Sequence, residues 1–219
     1  MIEIYETRAA IEEENGIYAE KVRHALRKSH TYLINLMGSP GAGKSSLLLK
    51  TAKLLSDRFR IGVIEADVDS AVDAQAMQKA GLKAVQLHTG GACHMDAKMT
   101  LEGLEHLGCD DLDLVVLENV GNLVCPAEFD VGADLKVMIL SVPEGDDKPL
   151  KYPLMFQVSD CLIINKIDTA PVFDFSADRC RKNIAPLHPD MPVFELSAKT
   201  GAGLESFAAY LRKQVEAGK

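Results

Sequence analysis

The sequence predicts an α/β protein built on a mostly parallel sheet of about seven strands flanked by helices. Seven short apolar runs, at residues 32–37, 61–66, 85–88, 114–117, 135–142, 162–165 and 193–196, are separated by longer segments of helical composition. The runs are continuously apolar rather than alternating, which is the pattern of strands buried on both faces. Helices between such strands make parallel crossovers.

Ahead of the first run, residues 6–28 place Ala9, Ile11, Ile17, Val22, Ala25 and Leu26 among Glu, Lys and Arg. This imperfect stripe predicts one or two amphipathic helices, with Gly16 as the candidate break. The acidic run 12–14 reads as a solvated helix face. Residues 1–30 are thus expected to form a helical segment before a single globular unit, 31–219, because no repeat, low-complexity tract or Pro/Gly/Ser-rich linker divides the chain. At 47% hydrophobic residues the chain can fill a sizeable core. A net charge of -8 argues against nucleic acid as a partner, since phosphate backbones are gripped by clustered Lys and Arg. The N-terminus has no basic region followed by an apolar one, and no run reaches membrane length, so a cytoplasmic protein without membrane contact is expected. The cysteines, Cys93, Cys109, Cys125, Cys161 and Cys180, are odd in number in a chain too large to need disulfide staples. Each is a buried thiol or a ligand.

The first apolar run, YLINLM, leads into GSPGAGKS, which matches GxxxxGKS and is followed by the helical stretch SSLLLKTAKLL. Strand, glycine-rich loop and helix are the context in which this motif binds phosphates. Gly38, Ser39, Pro40, Gly41, Ala42 and Gly43 let backbone N–H groups converge on anionic oxygens, and the helix N-terminus, where Ser46 follows, favours the same charge. Lys44 is expected to reach the β and γ phosphates catalytically, and the Ser45 hydroxyl to coordinate Mg²⁺.

NKID follows the run at 162–165 and SAK follows that at 193–196, so both belong at strand ends on the phosphate-loop edge. The Asp168 carboxylate can accept from the N1 and N2 donors of guanine, a pair that adenine lacks. Resemblance to GTPase base-recognition motifs implies that Lys166 lays its stem on the ring and that Asn165 braces the neighbouring loops. It also implies that the Ala198 N–H, between Ser197 and Lys199, meets guanine O6. The nucleotide is therefore GTP.

Asp67 closes one strand and Glu118 another, and both are candidates for the Mg²⁺ side of the site and for catalysis. Asp69 is a second candidate for the first position, and one of the two aspartates can instead cap the helix beginning near Ala71. Glu118 with Gly121 departs from the DxxG of Ras-like GTPases and resembles the deviant class of dimerising P-loop proteins, the SIMIBI class.

Cys93 and His94 lie in TGGACHMD, and Cys125 lies four residues after Gly121, in the loop expected to sense the γ phosphate. Thiolate and imidazole suit Zn²⁺ or Ni²⁺, but three ligands fall short of the four of a closed structural site. Two chains across a twofold axis can pool theirs. Buried thiols are the alternative, and Cys109, Cys161 and Cys180 are read that way. His88 and His106 show no comparable spacing; His24, His30 and His188 are taken as surface residues.

With TGGACHMD, ENVGNLVCPAEFD, SVPEGDDKPLKYP and NKID in this order behind GSPGAGKS, the chain resembles the HypB family of nickel-iron hydrogenase maturation GTPases over about residues 10–215. The resemblance implies GTP hydrolysis coupled to nickel delivery into a hydrogenase large-subunit precursor, with a HypA-type nickel metallochaperone as partner. It further implies a GTP-promoted homodimer whose interface Ni²⁺ or Zn²⁺ is held by Cys93, His94 and Cys125. Two family features are missing: the sequence opens MIEIYETRAAI, with neither a CxxCGC motif nor a histidine-rich tract. No Gln follows Gly121, the position being Asn122, and no arginine is evident in a loop that would reach the γ phosphate, so slow turnover is expected. Lys148 is a candidate contact to nucleotide or to a second subunit, or a solvated lysine. Competing readings are a P-loop small-molecule kinase, against which Asp168 argues, and a related G-protein chaperone for urease or a cobalamin enzyme. A Cys-Pro-His arrangement would favour urease; here Cys125-Pro126 is followed by Ala127.

Overall fold

The computed structural model describes residues 7–67 and 72–218. Helix α1 (Thr7–Ser29) leads into β1 (Tyr32–Gly38), α2 (Lys44–Leu55), β2 (Ile61–Asp67), α3 (Val72–Lys79), β3 (Lys83–His88), α4 (Ala97–Leu107) and β4 (Leu114–Glu118). The second half adds α5 (Cys125–Glu128), β5 (Leu135–Ser141), α6 (Lys148–Lys151), α7 (Pro153–Val158), β6 (Cys161–Asn165), α8 (Ala177–Ile184), β7 (Val193–Glu195) and α9 (Leu204–Ala217). Every apolar run of the sequence is a strand, and among the described residues the 7 strands form one sheet in the order β3-β2-β4-β1-β5-β6-β7. All pairings are parallel.

Side-chain alternation sorts the core into two layers. Ile34, Leu36, Val63, Val137 and Ile163 face α2 and α9 with Leu47, Phe207 and Leu211. On the opposite face Leu33, Ile64 and Leu117 pack with Val22 and Leu26 of α1 and Leu104 of α4, while Met138, Leu140 and Ile164 pack with Phe156 of α7 and Cys180 of α8. Chain order reverses at central β1, whose neighbours are β4 and β5, and a parallel sheet opens its binding crevice at the carboxyl end of such a strand.

Gly16 does not break the N-terminal helix. A glycine within a helix costs roughly 1 kcal/mol, whereas burying Val22 and Leu26 contributes about 1.5–3 kcal/mol each. Packing wins, and α1 runs unbroken across α4. Cys161 and Cys180 are fully buried as expected, but Cys109 is half-buried. His188 is no free surface residue either, since its Nδ1 lies 3.1 Å from Ser159 O.

Candidate nucleotide and metal site

The glycine-rich loop spans the gap between β1 and α2. Gly43 caps α2 with φ 100°, and a Cβ there would lie 2.5 Å from Asn165 Nδ2, so backbone and space both demand glycine. No side chain caps α2, the arrangement in which a helix N-terminus can take an anion. Loop residues Pro40, Gly41, Gly43, Lys44, Ser45 and Ser46 line a cavity of about 640 Å³, closed opposite by Glu65, Glu118 and Gly121. Ser45 Oγ donates to Glu118 Oε1 at 2.8 Å, so hydroxyl and carboxylate already meet at the cavity wall. Asp67 ends β2 beside His88 of β3. Its side chain, and the whole of Asp69, lie outside the described residues, as does Ala71. Glu65, which sequence reasoning passed over, is buried and stands in register with Glu118 on the same face of the sheet. Its signal was a carboxylate inside the apolar run IGVIEA.

A second cavity, of about 460 Å³, adjoins the first through the shared Gly43, Ser46 and Lys166. Its far wall carries Asp168, Ala198 and Lys199. Asn165 braces the loops as expected: its Nδ2 donates to Ala42 O at 2.9 Å, and its Oδ1 accepts from Ala198 N at 3.0 Å. An amide that gives its NH₂ to Ala42 turns its oxygen toward the Ala198 N–H, the group expected to meet guanine O6. Lys166 takes a left-handed φ of 61° and lays its chain over the phosphate loop, with Nζ 2.6 Å from Gly41 O. Asp168 is exposed; its Oδ1 accepts from Ser197 Oγ at 2.6 Å, and Ser197 Oγ accepts the Thr200 N–H. Lys148 lines neither cavity, its Nζ standing 5.4 Å from the ring centre of Tyr152.

Cys93 and His94, from the loop between β3 and α4, meet Cys125, the first residue of α5. One ligand atom from each lies within 4.8 Å of the others. Cys93 Sγ donates to Cys125 Sγ at 2.9 Å, and both thiols are free. This contact, more than burial, raises the Cys125 pKa, against the pull of a hydrogen bond from Asn122. Burial lowers the His94 pKa despite Asp96 and Glu128, which favours the neutral imidazole that a metal requires. Phe129 stacks on the His94 ring at 4.0 Å. Two further residues escaped sequence reasoning. Asn15 of α1 donates to Asp130 O at 2.8 Å and accepts from Ala97 N at 2.9 Å, tying together the backbones on either side of the cluster. Arg23, also on α1, pairs with Asp130.

The sheet order, the loop after β1 and the paired cavities define a P-loop nucleotide-binding protein of the SIMIBI class. Residues 32–195 match the family model described as CobW/HypB/UreG, nucleotide-binding domain, and the chain belongs to that family. It is 43% identical over 198 residues to hydrogenase maturation factor HypB of Rhizobium leguminosarum bv. viciae, covering 90% of this chain and 66% of that protein. It is 39% identical over 203 residues to hydrogenase/urease maturation factor HypB of Helicobacter pylori, covering 90% and 83%. The crystal structure of Helicobacter pylori HypB in complex with nickel superposes with a TM-score of 0.88 at 38% identity, over 93% of this chain and 95% of that one.

Proposed function

We propose that this chain is a GTP-hydrolysing metallochaperone that delivers nickel during maturation of a nickel-iron hydrogenase. The observation that carries it is the meeting of three soft donors, Cys93, His94 and Cys125, at the end of the loop that closes the phosphate cavity. Lys44 would neutralise the β and γ phosphates, and Asp168 would select guanine by accepting from its N1 and N2 donors. The Ser45 hydroxyl and Glu118 carboxylate, 2.8 Å apart at the cavity wall, are hard oxygen donors that fit Mg²⁺, with Asp67 as the further carboxylate. When bound, that ion neutralises charge on the phosphates. No arginine lines the cavity among the described residues, and Asn122 rather than Gln follows Gly121, so hydrolysis is slow.

Nickel is the cargo, and thiolate and imidazole donors suit either Ni²⁺ or Zn²⁺. Three ligands fall short of the four of a tetrahedral or square-planar ion, so two copies pool their donors in a GTP-promoted homodimer. Release on hydrolysis would pass the metal to a HypA-type metallochaperone or to the hydrogenase large-subunit precursor. The name of the Helicobacter pylori relative favours urease as a second client. Titration of Ni²⁺ and Zn²⁺ into wild type and Cys93→Ala, with mass measured by light scattering in GDP and in a non-hydrolysable GTP analogue, tests the scheme. Wild type should bind one ion per two chains with an affinity that depends on nucleotide, and the variant should lose both properties. Unchanged binding and stoichiometry in the variant would sink the shared site.

A further inference from the structure

We infer that Asn122 is the positioning residue through which the phosphate loop sets the geometry of the Cys93–His94–Cys125 cluster. This inference rests on the nucleotide-to-metal coupling proposed above and names the part that carries it.

Asn122 touches both sites by separate groups. Its backbone N–H donates to the carbonyl of Gly38, the first residue of the phosphate loop, at 3.1 Å. Its side chain works in the other direction: Nδ2 donates to the Cys93 carbonyl at 3.2 Å, and Oδ1 accepts from the N–H of Val124, the residue before Cys125, at 2.9 Å. One amide thus clamps the backbones of two ligand-bearing loops that lie on different crossovers. The preceding residue removes the slack. A Cβ on Gly121 would stand 2.8 Å from Pro40 N, so the chain here lies directly against the phosphate loop. A shift of Gly38 or Pro40 when the γ phosphate is present or absent must therefore displace Asn122, and with it Cys93 relative to Cys125. The task needs a donor and an acceptor on one short neutral side chain. Aspartate keeps only the acceptor, and alanine keeps neither.

The test is Ni²⁺ affinity of the full chain, by competition with a chromophoric chelator, in GDP and in a non-hydrolysable GTP analogue. Couplings between sites are commonly about 5–150-fold, so a wild-type ratio in that range is expected. Asn122→Ala should still bind Ni²⁺, with thiolate-to-nickel absorption in GDP, but its ratio should fall to within about twofold of one. Because the ratio cancels any uniform loss of affinity, simple loosening of the loops does not imitate this result. A wild-type ratio retained in Asn122→Ala overturns the relay alone. A ratio of one in wild type removes the coupling itself, and this inference with it. If Asn122→Ala does not fold, Asn122→Asp, which keeps the bond from Val124, is read by the same ratio.

Discussion

Replacing Asn165 by alanine should destabilise the nucleotide-free protein by about 2–6 kcal/mol. The side chain is 1% exposed and makes two bonds, to Ala42 O at 2.9 Å and from Ala198 N at 3.0 Å, both on buried residues. Truncation strands one carbonyl and one N–H out of water, and each buried group left unpaired costs about 1–3 kcal/mol. Against a typical total of about 5–15 kcal/mol this is a large fraction, and in a chain of this size it lowers Tm by about 2–4 °C per kcal/mol. Urea unfolding without nucleotide measures the loss, and GDP titration measures its consequence, since the same amide fastens the base cavity to the phosphate loop. Asn165→Asp keeps the bond from Ala198 but sets an acceptor against the Ala42 carbonyl, so it should be no better. A loss below about 1 kcal/mol together with unchanged GDP affinity would refute the bracing role.

On the proposed guanine-selecting role of Asp168, Asp168→Asn should cut the preference for guanine over adenine nucleotides by about 100-fold, because one of the two carboxylate acceptors is replaced by a donor; competition binding of GDP against ADP reads this. Ser45→Ala and Glu118→Gln should each weaken the Mg²⁺ dependence of nucleotide binding more than binding without Mg²⁺, and equal weakening in both conditions would place these side chains away from the ion. Asn15→Ala should lower Ni²⁺ affinity about tenfold, as loss of support behind metal ligands commonly does, while leaving GDP affinity intact, since among the described residues its side chain bonds to Asp130 and Ala97, away from both cavities. Burial pushes the Asp130 carboxyl up, but hydrogen bonds from Arg23 and the Gly132 N–H outweigh it and hold the pKa below the ordinary value. A depressed carboxylate stabilises above its unfolded pKa near 4 and loses that contribution as pH falls through the folded value. With the pair partly exposed, Asp130→Asn should cost under about 1 kcal/mol at pH 7, and the difference from wild type should fade in urea melts taken progressively below pH 4.

The strands and the phosphate loop were legible because their information is local. A continuous apolar run next to GSPGAGKS needs no knowledge of the rest of the chain. The metal cluster was half legible: TGGACHMD and VCPAEFD are polar, glycine- or proline-bearing contexts for cysteine, but only the placement of β2 between β3 and β4 brings the two loops together. Asn15, Asn122 and Asn165 show the limit. Asparagine is common in loops and on helix surfaces, and its two-sided amide acquires meaning only once a carbonyl and an N–H from distant segments lie within reach of it. Asn165 was read from its motif, Asn122 only as the residue that stands after Gly121 in place of Gln, and Asn15 not at all. Gly16 left one helix or two open, because the stripe alone does not state how deeply α1 buries Val22 and Leu26.

The course of α1 carries a practical consequence. Near its start, Ile11, Glu14 and Asn15 border a small cavity with Asp96 and Phe129, beside the His94 ring, whereas Thr31, just past its end, bonds to Cys109 O and Leu112 O at the amino ends of the central strands. A chain fused ahead of α1 is joined to the end of that helix that borders the His94–Phe129 stack. A polyhistidine affinity tag placed there would compete for the ion under study and report its own stoichiometry. The end of α9, by contrast, lies where Gly218 packs on Tyr32, the first residue of β1, at the amino ends of the strands and on the opposite face. A cleavable tag belongs at that end if the nickel titrations are to count the protein's own ligands.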